Sequence, residues 1–436
     1  MDIAPEKRVW LVTVDMGYGH QRTSDDLRFL AVDNKAINAN NYEGMPDSDR
    51  RLWQSSRKFY EAVSAFKRVP IVGQFAFYLF DVLQRVQPFY PKRDLSGKSL
   101  TLKQLYWLLK KGWGRHLIEK LKTDPRPLVT TFFTPAFMAE YFGYPGEIFC
   151  VVCDTDIARA WAPLNPQKSR IKYFAPTERV AERLKLYGVI KENIFLTGYP
   201  LPLDIIGDEN MSILKKDLKQ RLSALDPNKK FLDKYRELVE KNLGPMPSQS
   251  NRPLTITFAV GGAGAQKQLA ITALASLKKL ILAGKIKMVL VAGVKEGIRD
   301  YFQSQIKSLD LTDELGRGVE ILFSSTVQEY FRQFNANLQT TDILWTKPSE
   351  LSFFAALGLP IIIAPTIGSH EEFNKRWLLK SDFGILQKEP KFVSEWLTDL
   401  VDQGFMAERA FESFLEGEKL GALNIKKIID SLCFGS

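Results

Sequence analysis

Ten short apolar runs are interleaved along this chain with stretches of helical periodicity. In the first half the runs are RVWLVTV (8–14), PLVTTFF (127–133), EIFCVVC (147–153), IKYFA (171–175) and NIFLTG (193–198). In the second half they are LTITFAV (254–260), IKMVLVAG (286–293), GVEILF (318–323), DILWT (342–346) and PIIIAP (360–365). Amphipathic segments are expected at 20–32, 178–188, 265–283, 295–309, 326–336, 350–357 and 371–381. Runs that stay apolar through successive residues suit strands buried on both faces. Alternation with helices places such strands in parallel sheets. The expected class is α/β.

Two strand sets of similar spacing imply two Rossmann-like domains. The chain has 436 residues, enough for two large domains at roughly 150 residues or more each. The expected boundaries are 1–205 and 251–415. A charged insertion or linker lies between them at 206–250, ending in the Pro- and Ser-rich GPMPSQSNRP. Residues 416–436 are expected to form a C-terminal helix returning to the first domain.

Composition closes off several classes. Hydrophobic residues make up 45% and charged residues 25%, which is ordinary globular usage and excludes a disordered or collagen-like chain. Three Cys and three His leave no material for a zinc cluster or a disulfide framework, so no metal is expected. There is no run of about 18 apolar residues and no secretory h-region at the start, so the expected location is cytoplasmic. The net charge of +10 suggests an anionic partner. Between Arg85 and Arg126 there are eleven Lys/Arg against three Asp/Glu, interleaved with aromatics. Region 51–126 therefore suits either a peripheral anionic membrane surface or a pair of core helices with basic solvated faces. Nucleic acid is not expected, since no RNP or helix-turn-helix signature occurs. The oligomeric state has no signal in the sequence.

Three loops carry candidate chemistry. The first is DMGYGH, in which Gly17, Tyr18 and Gly19 lead to His20 directly after the first strand. Loops at the carboxyl ends of parallel strands line the ligand crevice. His20 is there either a general base or a helix-start cap. The second is Gly261, Gly262, Ala263, Gly264, Ala265 and Gln266, a glycine-rich turn opening a helix. It suits a diphosphate, through exposed N–H groups and the helix dipole, or simply a tight connection. It lacks the Lys-Ser/Thr of a Walker loop. The third runs from Thr346 to Gly384. Lys347 can reach phosphate. Ser349 and Glu350 sit at a helix start, where Glu350 can accept ribose or sugar hydroxyls or merely complement the dipole. Gly368, Ser369, His370, Glu371 and Asn374 follow the next strand.

Two further motifs need placing. Cys150 and Cys153 have redox spacing, but positions three apart on a strand face opposite sides, which favours a core role. Asp154, in the DTD that closes the same run, can activate a hydroxyl; the alternative is a helix N-cap.

These segments together resemble the GT-B glycosyltransferases. The nearest look-alikes are the monogalactosyldiacylglycerol synthases, the processive diacylglycerol glucosyltransferases and the peptidoglycan N-acetylglucosaminyltransferase that makes lipid II. MGYGH, then TTFFTPAFMAEY and CVVCDTDIARAW, then FAVGGAGAQ, then TKPSELSFFAALGLPIII with HEEFN, occur in the family's order across most of the chain. The departures are specific. Two glycines of the family's Lys-Pro-Gly-Gly-x-Thr are absent, and Phe353 stands where its ribose-binding Glu aligns. Ala158 replaces a His, although Trp161 is retained. His370 replaces a Gln.

The resemblance implies two parallel-sheet domains facing a central cleft. It implies metal-independent transfer, with inversion, of a sugar from a nucleoside diphosphate sugar, a UDP-sugar first, to a hydroxyl acceptor that includes lipids. His20 would deprotonate the acceptor with help from Asp154, and the leaving diphosphate would rest on the 261–266 turn and Lys347. Gly17, Tyr18, Gly19 and Trp161 would line the acceptor side. The alternatives are a nucleotide-sugar-binding protein of this fold without transfer, and an epimerase that converts the donor with no acceptor.

Overall fold

The computed structural model describes residues 3–54, 86–247, 250, 252–259, 261, 264, 266–366 and 369–435. The chain divides into two compact units, residues 1–200 with 420–436, and residues 201–419.

The first unit is built on six parallel strands: β1 (Trp10–Thr13), β2 (Ile37–Asn38), β3 (Leu128–Thr130), β4 (Ile148–Val151), β5 (Lys172–Ala175) and β6 (Ile194–Leu196). Their order is β2-β1-β3-β4-β5-β6. Register places Leu128 beside both Trp10 and Ile148. The central strands β3 and β4 are buried at every position, as uninterrupted apolar runs require when helices cover both faces. Helix Gly421–Cys433 belongs to this unit, and Asn424 Nδ2 donates to the Thr197 carbonyl at 2.9 Å. Gly421 makes that approach possible, because a Cβ there would strike the Tyr199 carbonyl.

The second unit has the same plan. Its strands are β7 (Leu254–Ala259), β8 (Ile286–Gly293), β9 (Val319–Phe323), β10 (Ile343–Thr346), β11 (Ile361–Ile363) and β12 (Gly384–Leu386). They run parallel in the order β12-β11-β10-β7-β8-β9. Each of the ten expected runs contains a strand. The two unexpected strands, β2 and β12, are sheet edges of two and three residues, too short to carry a pattern. The expected helix at 350–357 is a 3-10 run, Glu350–Leu357.

The charged stretch after the first sheet folds into helices Ser212–Leu225 and Lys230–Leu243, both within the second unit. Leu214, Leu218 and Leu222 recur every four residues and are fully buried, an apolar stripe on an otherwise charged helix. Arg221 on that helix is also buried. Its guanidinium donates to the Thr341 and Leu357 carbonyls at 2.7 Å each and to Leu338 at 3.1 Å. Burial pulls its pKa down to about 10, so it stays charged at neutral pH. One side chain thus gathers carbonyls at and just beyond the ends of Val327–Leu338 and Glu350–Leu357.

No helix among the described residues is long and apolar enough to cross a membrane. Of the aromatic-basic region 51–126, residues 55–85 lie outside the described residues.

Candidate functional site

In the first unit the chain leaves β1 toward β2 on one side and reappears as β3 on the other. This reversal is where open parallel sheets bind ligands, outside the strands' carboxyl ends. The loops after β1, β3 and β4 meet there. Gly17 (φ 111°) precedes helix Tyr18–Asp26, in a region that L side chains avoid. Thr13 Oγ1 donates to the His20 carbonyl at 3.0 Å and lies 3.0 Å from Thr131 Oγ1. Thr23 Oγ1 donates to the Gly19 carbonyl at 2.8 Å. These bonds fix the first helical turn to its strand.

His20 Nδ1 lies 2.8 Å from the Thr131 carbonyl oxygen. A carbonyl only accepts, so Nδ1 carries the proton and Nε2 is the basic nitrogen of the neutral ring. The ring meets Phe132 edge-on at 4.8 Å between centroids and stands 6.2 Å from Trp161. Phe133 packs on Trp161 at 5.3 Å. An imidazole with a fixed tautomer therefore stands against an aromatic wall.

The DTD segment separates into two roles. Asp156, whose side chain is 2% exposed, accepts from Arg183 at 2.8 and 2.9 Å and from Arg179 at 2.9 Å. Burial opposes the Arg183 charge, but the hydrogen bond and charge of Asp156 outweigh it and raise its pKa. Asp156 is thus an internal counter-ion. Asp154 is half-buried and forms no hydrogen bond or ion pair with another described residue. Of the two acids it is the one available to a ligand.

Both cysteines are buried, as the core reading expects, Cys150 completely. That thiol sits in the first unit's apolar cluster, and burial pushes its pKa up. Cys153 lies beyond the last residue of β4, with Sγ 3.4 Å from both His20 Nδ1 and the Thr131 carbonyl. Its strand face, opposite that of Cys150, was the available signal. What the sequence concealed was that His20 would arrive on that face.

The second unit repeats the arrangement, with its reversal between β7 and β10. Gly261 (φ 75°) and Gly264 (φ 65°) form a turn closed by Gly264 N–H donating to the Gly261 carbonyl at 2.9 Å. A Cβ on Gly261 would stand 2.7 Å from Lys347 Cε, so the lysine stem lies directly on the turn. Gln266 Nε2 donates to the Pro365 carbonyl at 2.8 Å, tying the turn to the loop after β11. Gln266 Oε1 is buried with no partner among the described residues.

Lys347 forms an ion pair with Glu371, whose side chain is 2% exposed. Glu371 and Asn374 are both buried on helix Ser369–Lys380. Ser349 Oγ accepts from the Leu351 amide at 3.4 Å as the cap of the 3-10 run, and Glu350 is that run's half-buried first residue. Phe353 is buried against Trp377, at 5.3 Å between centroids, and is core. The expected ligands Gly262, Ala263, Ala265 and Gly368, and the side chains of Ser369 and His370, lie outside the described residues.

No group of three His, Cys, Asp or Glu side chains suited to a metal ion occurs among the described residues. A cavity of about 760 Å³ in the second unit lies among Arg252, Leu254, Lys285, Ile286 and Thr398. Leu254 and Ile286 begin their strands, so this cavity is at the amino edge, opposite the loops above.

No protein-family model and no curated relative matches the chain. Among solved structures it is similar to S. aureus MnaA in complex with UDP, at 11% identity and a TM-score of 0.51, covering 98% of this chain and 96% of that one. It also resembles the UDP-GlcNAc 2-epimerase of Neisseria meningitidis bound to UDP-GlcNAc, at 11% identity and a TM-score of 0.48, covering 97% and 100%. Acinetobacter baumannii MurG aligns at 12% identity and a TM-score of 0.45, covering 83% and 89%. The MnaA match, with the two six-stranded parallel sheets, establishes the GT-B fold and nothing finer.

Proposed function

We propose that the chain transfers a sugar from a nucleoside diphosphate sugar to a hydroxyl acceptor, with inversion and without a metal. The observation that carries this reading is the His20–Thr131 hydrogen bond. It holds a basic nitrogen at the reversal point of a parallel sheet, where a general base for a hydroxyl is placed to act.

Each unit takes one substrate. In the first, Gly17, Tyr18, Gly19, Trp161 and the Phe132–Phe133 wall receive the acceptor. His20 Nε2 takes the hydroxyl proton while the oxygen attacks the anomeric carbon, and Asp154 orients the hydroxyl. In the second, the leaving diphosphate rests on the 261–266 turn and the start of helix Lys267–Leu282, with Lys347 as counter-charge. Ser349, Glu350, Gly368, Ser369, His370, Glu371 and Asn374 complete the donor side. The structure of S. aureus MnaA contains UDP, so uridine nucleotides are the donors to try first. An acceptor embedded in an anionic membrane fits helix Leu100–Lys110, which exposes Leu100 and Trp107 alongside Lys103 and Lys110.

The test is a panel of UDP-, GDP- and ADP-sugars with and without acceptors, scored by nucleotide release. Release that depends on a hydroxyl acceptor supports the reading. Conversion of the donor without acceptor replaces it by epimerisation, and nucleotide binding without turnover replaces it by a binding role. Co-sedimentation with phosphatidylglycerol vesicles at low salt tests the membrane surface. Failure to pellet removes that surface.

A further inference from the structure

We propose that Thr13 is a positioning residue for His20, because its hydroxyl completes a closed cycle of three hydrogen bonds that holds the imidazole in place. The role rests on the reading of His20 as the base for the acceptor hydroxyl.

Proton counting gives the cycle its direction. Thr13 Oγ1 lies 3.0 Å from the His20 carbonyl oxygen and 3.0 Å from Thr131 Oγ1. A hydroxyl has one proton to give and a carbonyl has none. The Thr13 proton therefore goes to the His20 carbonyl, and Thr131 Oγ1 donates to Thr13. His20 Nδ1–H donates in turn to the Thr131 carbonyl at 2.8 Å. Each residue thus donates once and accepts once within the cycle, and bonds that run head to tail polarise one another. Cys153 Sγ stands beside the cycle, 3.4 Å from the same carbonyl, which has a second lone pair for such a donor.

The cycle sits where the sheet stops. The last backbone pair of β1 and β3 is Val12 with Thr130, and Thr131 N–H still reaches the Val12 carbonyl at 3.1 Å. Thr13 and Thr131 come next, and their hydroxyls carry the pairing one step past the ladder. On its other side Thr13 is held toward β2, its carbonyl accepting from Ala39 N–H at 2.8 Å. Thr131 is fully buried and Thr13 is 5% exposed, so bulk water does not replace a lost partner.

The three links are not equivalent. Two of them end on His20, one at its carbonyl and one at Nδ1. Removing the Thr13 hydroxyl unpins the helical turn that carries His20 and orphans the Thr131 hydroxyl. Removing the Thr131 hydroxyl breaks only the link that does not touch His20.

The experiment follows the full chain by nitrogen NMR of its histidine rings and by transfer kinetics, each variant being checked by its thermal melt. The chain has three His, and His20→Ala identifies the His20 signals. Thr13→Val is expected to mix the two neutral tautomers of His20 and to lower kcat about 10²-fold, the scale for a misplaced catalytic group, with KM little changed. Thr13→Ser is expected to restore both, and Thr131→Val to keep the Nδ1–H tautomer. A role in packing alone predicts the reverse order at position 13, because valine keeps the β-branched shape and serine does not. If Thr13→Val does not fold, the double variant T13V/T131V leaves no orphan hydroxyl and is expected to show the same mixing. A tautomer that stays fixed in whichever of these folds overturns the proposal, as does an unchanged kcat. Absence of transfer by every form, the unaltered chain included, overturns the reading of His20 as a base, while the nitrogen signals still decide whether Thr13 holds its imidazole.

Discussion

His20 Nδ1 and the backbone carbonyl of Thr131 are 2.8 Å apart, joining the loops after the neighbouring parallel strands β1 and β3. Because the acceptor is main chain, side-chain substitution at Thr131 leaves it in place and the ring stays oriented. His20→Ala is expected to lower transfer by about 10²- to 10⁴-fold, the usual contribution of a general base. On the proposed reading donor binding falls to the other unit and should survive. Initial rates of nucleotide release, set beside calorimetric binding of UDP, check both halves. Near-normal turnover removes His20 from catalysis.

Asp154 and Asp156 are two residues apart and should respond oppositely. Asp156→Asn leaves buried Arg183 without its counter-ion, and breaking a buried pair from one side costs about 3–5 kcal/mol. Chemical denaturation should show that loss. Asp154→Asn breaks no hydrogen bond or ion pair among the described residues, so stability should change by less than about 0.5 kcal/mol, as for surface substitutions, while the transfer rate falls. Equal destabilisation by the two would mean that Asp154 is also structural.

The sheets were legible because their strands are buried on both faces, and runs such as EIFCVV and PIII announce themselves. The edges were not, since Ile37–Asn38 has no length in which a period could appear. The glycine turns were legible as turns, because only glycine suits the φ of Gly17 and Gly261. Pairings across loops were hidden. Lys347 was expected at a phosphate and Glu371 among the polar groups for the donor's hydroxyls and phosphates, and nothing in the sequence showed that the two form an ion pair. Cys153 is buried as expected, but nothing in a linear pattern shows that His20 will come to rest against it.

Arg221 ties four carbonyls, those of Leu338, Thr341, Leu357 and Gly358, into one buried cluster. Arg221→Met keeps the stem's volume and removes every donor. Each abandoned buried carbonyl costs about 1–3 kcal/mol, so a loss of several kcal/mol is expected by urea denaturation. Arg221→Lys should restore little, because one ammonium cannot reproduce the planar fork. Full rescue by lysine would show that charge, rather than geometry, secures the helix ends.

Gly261→Ala tests the turn itself. An alanine at φ 75° is strained by roughly 1–2 kcal/mol, and its methyl would stand 2.7 Å from Lys347 Cε. The lysine is flexible and can swing aside, so the fold should persist with a modest fall in melting temperature. On the donor reading the methyl, by pushing the Lys347 stem aside, also displaces the charge that would meet a phosphate. UDP affinity should therefore drop at least about tenfold, equivalent to 1.4 kcal/mol, while uridine affinity drops less. Equal losses for UDP and uridine would mean that the methyl disturbs the whole pocket. No loss for either would place the diphosphate away from the 261–266 turn.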